Sequence, residues 1–328
     1  MTVKVGVLGA GYIGRIHAQN LRGDSRVEVT GIVDVVPRAA ERLAADVGSR
    51  PLPVLAALLD AGIEALYVTT PNTQHVEPVL AALAHGVHVF SEKPMAASLA
   101  DARRIRDAAH RSKGVYQIGF NRRFANVYQF ARRLIDEGRL TPLVAQMKHN
   151  RGELRQPPWT ADPAVTGGYL YETPVHLFDL ARFFFGEVAE IQGWARRSVY
   201  KELDGFTMLL RCAGGVITSL TSVAHTSWLF PSERIEIYGE HKSVVTEEIE
   251  HAAFSPGMRD QAEVIDCRAM PFERKAGYVT EDRLFIDAVL GERPPAVTAE
   301  DGYRATELVE ACYRAAREGK PISLPLES

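Results

Sequence analysis

Six residues near the start constrain this chain most: Gly9-Ala10-Gly11-Tyr12-Ile13-Gly14, a GxGxxG run. It follows a β-forming stretch, Val3-Lys4-Val5-Gly6-Val7-Leu8, that reads as a buried strand, and it leads into a helical pattern over 12–21. In that setting each glycine has its own physical reason. The first permits a tight turn, the second lets a pyrophosphate approach the backbone, and the third lets helix and strand pack closely. Amides at the helix N-terminus then face the phosphates, where the helix dipole favours negative charge. The run implies a dinucleotide-binding unit in which Gly9, Gly11, Tyr12, Ile13 and Gly14 cradle the phosphates. Asp34 stands 20 residues beyond Gly14, at the end of a second strand over 27–33, where its carboxylate can accept bonds from ribose hydroxyls. Its charge repels a 2′-phosphate, which favours NAD over NADP. Arg38, able to pair with such a phosphate, keeps NADP open.

The alternation continues through residue 121. Strand patterns at 65–70, 87–90 and 115–120 alternate with helices opened by Pro37 and lying at 76–85 and 98–111. Such a series predicts a parallel, doubly wound sheet with right-handed crossovers. Beyond Asn121 the texture changes. Helical patterns at 124–137 and 168–185 precede β-rich runs at 190–199, 205–211, 215–223, 233–238 and 243–248, and helices at 280–290 and 299–317 close the chain. Meander spacing without intervening helices predicts a large, mostly antiparallel sheet. The 328 residues suit two cores rather than one. The expected fold is α/β followed by α+β. A Rossmann domain spans 1–121, and an α+β domain for substrate binding and oligomerisation spans 122–328, its last helix able to pack back on the first domain.

Composition excludes several classes of function. Lys and Arg number 38 against 41 Asp and Glu, a formal charge of 38 − 41 = −3, which gives no pull toward nucleic acid or anionic membrane. No apolar run reaches the roughly 18 residues of a membrane span. The first strand begins at Val3, which leaves no room for a signal peptide. Cys212, Cys267 and Cys312 lie far apart and form no CxxC spacing. The expectation is a cytoplasmic protein with no nucleic-acid or membrane partner and no metal site.

Chemistry-bearing segments recur where strands end, which is where ligands bind in this kind of sheet. Thr70-Pro71-Asn72-Thr73-Gln74-His75 ends the strand counted fourth, Ser91-Glu92-Lys93-Pro94 follows the fifth, and Gly119-Phe120-Asn121-Arg122-Arg123 follows the sixth. Gly167-Gly168-Tyr169-Leu170-Tyr171-Glu172-Thr173-Pro174-Val175-His176-Leu177-Phe178-Asp179 opens the long helix of the second domain. Together with the glycine loop, in this order and spacing, these segments resemble the glucose–fructose oxidoreductase/inositol dehydrogenase family, Gfo/Idh/MocA, over nearly the whole chain. The resemblance implies an NAD(P)-dependent oxidoreductase that moves a hydride between the nicotinamide and a hydroxyl or keto carbon of a cyclitol, sugar or polyol. It implies that Lys93 lies beside nicotinamide and substrate, that Pro71, Asn72 and His75 lie near the nicotinamide ribose, and that Asn121 and Arg122 line the pocket. Thr70, Glu92 and Arg122 complete the expected cofactor set. The family's helix carries an Asp followed four residues later by a His. Here His176 matches and Glu172 holds the Asp position.

The residues themselves support those roles. Alcohol oxidation needs a base for the hydroxyl proton while the hydride leaves carbon. His176 is the natural acid/base, Lys93 can stabilise developing alkoxide charge, and Glu172 can orient the imidazole or bind a further hydroxyl. Four apart on one helix, Glu172 and His176 share a face. Pro174 between them allows a second arrangement, in which the helix begins near Thr173 or Pro174 and Glu172 sits in the lead-in. Polyol pockets combine hydrogen-bonding groups with aromatic faces, so Asn150, Arg151, His225, Trp228 and Tyr278 join Lys93, Asn121, Arg122, Glu172 and His176 as candidate substrate contacts. An antiparallel sheet can bury one face on its helices and leave the other for a partner, and the family resemblance, whose members commonly pair through that sheet, implies a homodimer or homotetramer. Two alternatives stay open: NAD-dependent glycoside cleavage through transient oxidation, and a non-catalytic dinucleotide sensor.

Overall fold

In the computed structural model, which describes residues 2–154 and 157–326, the chain forms two units. One comprises the chain up to Asn121 together with Tyr278–Tyr303, and the other Arg122–Gly277 together with the chain from Arg304 on.

The first unit opens with β1 (Val3–Leu8), α1 (Tyr12–Arg22), β2 (Val27–Val33), α2 (Pro37–Val47), α3 (Leu55–Asp60), β3 (Ala65–Val68), α4 (Val76–Ala84), β4 (His88–Glu92), α5 (Leu99–Arg111) and β5 (Tyr116–Gly119). All strand pairs are parallel, in the order β2-β1-β3-β4-β5. The order reverses between β1 and β3, the switch point where such sheets bind ligands at their carboxyl ends. Local chemistry sets the helix starts. Pro37 is the first residue of α2, where a missing amide costs nothing, and Ser98 caps α5 by accepting the Asp101 amide at 3.1 Å. The strands that the sequence counts as fourth, fifth and sixth are β3, β4 and β5 of five. Between β2 and β3 the chain makes two helices and one isolated parallel bridge, Ile32 to Pro51, in which the Ile32 amide donates to the Arg50 carbonyl at 3.0 Å and the Leu52 amide to the Ile32 carbonyl at 2.8 Å.

The second unit contains α6 (Asn126–Asp136), β6 (Val144–His149), α7 (Pro163–Thr166), α8 (Tyr169–Glu172), α9 (Val175–Phe185), β7 (Val188–Arg196), β8 (Gly205–Cys212), β9 (Ile217–Val223), β10 (Glu233–Gly239), β11 (Lys242–Glu247), β12 (His251–Ser255), β13 (Glu263–Asp266) and α10 (Phe272–Lys275). With β14 (Ile322–Ser323) the strands form one sheet in the order β13-β12-β11-β10-β6-β9-β8-β7-β14, antiparallel except for β6 beside β9. α6 and α9 pack on this sheet. The opposite face leaves Val144, Trp194, Leu209 and Ile217 exposed. The strands β12 and β13 escape the sequence reading because they are short and mixed in character.

Two expectations need correction. The helix expected over 168–185 is broken into α8 and α9, because Pro174 has no amide to donate and its ring obstructs the preceding turn. The single second domain expected over 122–328 loses Tyr278–Tyr303 to the first unit. There α11 (Tyr278–Val289) packs along α1, and its Phe285 and Ile286 join the core with Val5, Val7 and Leu21. The last helix, α12 (Ala299–Glu318), is counted with the first unit only as far as Tyr303. No helix among the described residues is long and apolar enough to cross a membrane.

Candidate functional site

The glycine loop has the form that its spacing demands. Gly9 adopts φ +106°, and a Cβ there would meet the Thr69 carbonyl oxygen at 2.6 Å. At Gly14 a Cβ would sit 2.0 Å from the Gly9 carbonyl oxygen, so the start of α1 is pressed onto the loop. At Gly11 nothing lies within 4 Å of the added atom. Two glycines therefore close the turn, and the third leaves open a cradle that a side chain would fill, which suits a pyrophosphate. Among the described residues no side chain caps α1, whose first-turn amides, those of Tyr12 and Ile13 included, are left for a ligand. Asp34 is tied to the loop: Oδ2 accepts the Ala10 amide and Oδ1 the Val36 amide, both at 2.7 Å. Each oxygen keeps a second lone pair for a ribose hydroxyl. Arg38 lies exposed in the first turn of α2. The residues present fit an NAD.

At the carboxyl end of β4 the Lys93–Pro94 bond is cis, and the Lys93 amide donates to Glu92 Oε2 at 3.0 Å. His75, expected near the ribose, instead spends both ring nitrogens on backbone. Nδ1 stands 2.8 Å from the Pro94 carbonyl and Nε2 2.8 Å from that of Thr70. It staples the Thr70-Pro71 turn to the Lys93-Pro94 turn. Burial holds its ring below the ordinary histidine value, against the pull of those two carbonyls. Asn72, also buried, opens the short helical turn Asn72–Gln74.

Behind this turn lies a group that the sequence reading missed. His17 Nε2 is 3.2 Å from Glu92 Oε1, His17 Nδ1 is 2.6 Å from Asp282 Oδ1, and Asn20 donates to Asp282 Oδ2 at 2.8 Å. Burial lowers the His17 ring, but the charges and hydrogen bonds of Asp282 and Glu92 outweigh it and hold the ring well above its ordinary value. The sequence expects no metal site. Among the described residues, His17, Glu92 and Glu281 bring ligand-type atoms within 4.8 Å of one another, two of them already joined by the His17–Glu92 hydrogen bond. Tyr278, expected as a substrate contact, is buried in the first unit with its ring edge-on to His17 at 5.6 Å. The one available signal was spacing, since His17 lies three residues after Gly14 and so shares its helix face.

In the second unit, Glu172 ends α8 and His176 lies in α9, with Pro174 as the cap between them. The second of the two expected arrangements is the one adopted. Both side chains are buried. Arg151 Nη1 donates to Glu172 Oε2 at 2.8 Å and to Thr173 Oγ1 at 3.2 Å, and the Thr173 hydroxyl also donates to Glu172. The His176 and His149 rings lie 6.3 Å apart. Arg122, expected on cofactor or substrate, directs its guanidinium at Glu233, with contacts of 3.1 and 3.2 Å. Tyr128 donates to the same carboxylate at 2.5 Å, and His149 Nε2 lies 3.6 Å away. Burial raises the Glu233 carboxyl, but the charges of Arg122 and His149 and the bonds from Tyr128 and Arg122 bring it down to about 2. Arg123 clasps the fully buried Asp179 through two bonds of 2.8 and 2.6 Å. Glu233 gave no signal in the sequence beyond being an acidic residue at a strand start.

Arg122, Asn150, Arg151 and Trp228 come together around a cavity of about 550 Å³ that His149, Thr173 and Glu233 also line. The Trp228 indole covers Gly152, where a Cβ would lie 2.1 Å from the ring, so only glycine admits it there. Asn150 Oδ1 accepts the Val223 amide at 3.1 Å. His225 is not in this lining and contacts Ser198 Oγ at 2.7 Å. Lys93, Asn121 and Tyr278 belong to the first unit.

Comparison with known proteins agrees with both units. An inositol 2-dehydrogenase of Burkholderia lata is 29% identical, the match covering 99% of this chain and 97% of the relative. An inositol 2-dehydrogenase of Rhizobium meliloti is 26% identical over 99% of this chain and 100% of the relative. Among solved structures, GenD2 from gentamicin A biosynthesis, in complex with NAD, superposes with a TM-score of 0.86 at 26% identity, covering 99% of this chain and 97% of that one. Residues 3–120 match the oxidoreductase family, NAD-binding Rossmann fold, and residues 132–324 match the oxidoreductase family, C-terminal alpha/beta domain. With both signatures in order over most of its length, this chain is an NAD-dependent oxidoreductase and belongs to the Gfo/Idh/MocA family.

Proposed function

We propose that this enzyme oxidises a secondary hydroxyl of a cyclitol, sugar or polyol, or reduces the corresponding ketone. NAD, when held by the glycine loop and Asp34, would supply the hydride acceptor or donor. His176 takes or returns the hydroxyl proton, and Lys93 stabilises negative charge on the reacting oxygen. Glu172, its charge matched by Arg151, orients a substrate hydroxyl. The observation that carries the reading is the cavity of the second unit, where Asn150 and Arg151 offer donors and Glu248 offers an acceptor beside the Trp228 face, and where Thr173 and Arg151 of the lining connect to Glu172. A polyhydroxylated ring needs both kinds of group and an apolar face. The names of the inositol 2-dehydrogenase relatives point the same way. NAD is favoured over NADP by Asp34, whose charge opposes a 2′-phosphate.

In this reading the first domain holds the cofactor, the second holds the substrate, and the enzyme works in the cytoplasm as a homodimer or homotetramer. The test is a spectrophotometric screen of NAD and NADP reduction over inositols, aldoses and sugar alcohols. At least one cyclitol or polyol is expected to reduce NAD, with His176→Ala and Lys93→Ala each lowering kcat by about 10²- to 10⁴-fold while NADH still binds. No reduction by any of these compounds, or near-normal kcat in both variants, overturns it.

A further inference from the structure

Asp282 in the second turn of α11, His17 on α1 and Glu92 at the end of β4 form a chain of buried hydrogen bonds, 2.6 Å from Asp282 to Nδ1 and 3.2 Å from Nε2 to Glu92. Tyr67, Phe90 and Tyr278 surround the imidazole, with ring centroids 5.4, 4.9 and 5.6 Å away. The ring is fully buried, so its polar atoms depend on the partners packed around it. The charged groups that face it are Asp282, Glu92 and Glu281. Both ring nitrogens point at carboxylates, an arrangement that a protonated imidazole satisfies from both sides at once and a neutral one does not.

The two oxygens of Glu92 do different things. Oε1 meets His17, while Oε2 accepts the backbone amide of Lys93. His17 belongs to the helix whose N-terminus is the glycine loop, and Asn20 of that helix holds the far oxygen of Asp282. The chain of bonds therefore runs from the dinucleotide helix, through one imidazole, to the backbone of the residue proposed to face the nicotinamide.

We infer that His17 is a positioning residue: held between Asp282 and Glu92, it locks the Glu92-Lys93-Pro94 turn to the helix that follows the glycine loop, and so sets where Lys93 meets the nicotinamide half of NAD. This rests on the reading that the turn faces the nicotinamide. The glycine loop, which takes the ADP half, is not moved by the lock.

Two substitutions separate the sides of the imidazole. Asparagine places its amide where Nδ1 stands and can keep the Asp282 bond, whereas glutamine reaches the Nε2 position and can keep the Glu92 bond. Calorimetric titration of each folded variant with NADH and with ADP reads out the two halves of the cofactor. His17→Asn is expected to weaken NADH about tenfold or more while ADP stays within about twofold, the scale expected of a turn displaced by less than an ångström. His17→Gln is expected to stay within about threefold of the parent for both ligands, although both variants lose thermal stability. Equal losses of NADH and ADP in His17→Asn, or a loss in His17→Gln as large as in His17→Asn, overturns the assignment. If His17→Asn does not fold, Asp282→Asn serves in its place: it keeps an acceptor, removes the charge, and is expected to weaken NADH relative to ADP, and an unchanged ratio counts against the lock. Lys93→Ala separates the two claims. If it spares the ratio, the nicotinamide reading fails and the lock's role with it. If it lowers NADH selectively and His17→Asn does not, the inference alone fails.

Discussion

Glu233 is a carboxylate deep in the second unit that holds the guanidinium of Arg122 and the hydroxyl of Tyr128, with His149 close by. Its residual exposure is 3%, so removing it takes the carboxylate from a half-buried arginine and from a fully buried phenol. Glu233→Ala is expected to lower unfolding free energy by about 3–5 kcal/mol at pH 7, read by urea denaturation. The pH dependence has a definite sign. The folded carboxyl titrates at about 2 against an ordinary 4.5, so its contribution is complete above 4.5 and is lost as pH falls toward 2. The gap between the parent and Glu233→Ala should therefore narrow below pH 4.5, and a gap that widens on acidification contradicts the pairing. At this scale sequence reading is weakest. Arg122 was read as a cofactor or substrate contact, but the carboxylate it meets lies 111 residues away, and nothing local reports it. His75 was legible as a residue at a strand end, but not the two carbonyls that claim its ring.

At the scale of elements the glycine loop divides labour in a way that experiment can separate. A methyl at Gly14 meets the Gly9 carbonyl oxygen at 2.0 Å, whereas a methyl at Gly11, where φ is −71°, meets nothing within 4 Å. Gly14→Ala is expected to lower the melting temperature by several degrees and to weaken NADH, because helix and loop must separate. Gly11→Ala is expected to leave the melting temperature within about a degree and to weaken NADH about tenfold or more by crowding the pyrophosphate. A thermal shift and an NADH titration on each variant check this, and an NADH affinity unchanged in Gly11→Ala contradicts the cradle. The same scale explains the start of α9. The pattern 168–185 reads as one amphipathic helix, and only Pro174 hints at the break that puts Glu172 and His176 on separate segments. Glu172 then meets Arg151 rather than lining a common helix face with His176.

For the whole molecule, the open face of the nine-stranded sheet carries the remaining prediction. Val144 is in register with Ile217, and Leu209 lies on β8 next to the strand of Trp194, so the exposed apolar side chains share one face. Apolar groups grouped on a sheet face mark an association surface. Light scattering is expected to find a homodimer or homotetramer, and the double change Trp194→Glu with Leu209→Glu is expected to yield a monomer; a monomeric parent protein counts against the reading. By itself the sequence determined what depends on neighbours a few residues apart: the glycine turn and its helix, the alternation that makes the first sheet parallel, the meander of the second, and the order of motifs that marks the family. The tertiary structure alone decided which charges meet: His17 with Asp282, Arg122 with Glu233, Arg151 with Glu172. It also decided that Tyr278–Tyr303 returns to the first unit. The physical reason is distance along the chain. Hydrophobic period and turn chemistry act within a dozen residues, whereas a buried charge takes its partner from whichever element the core packs against it, and that choice is written in no local pattern.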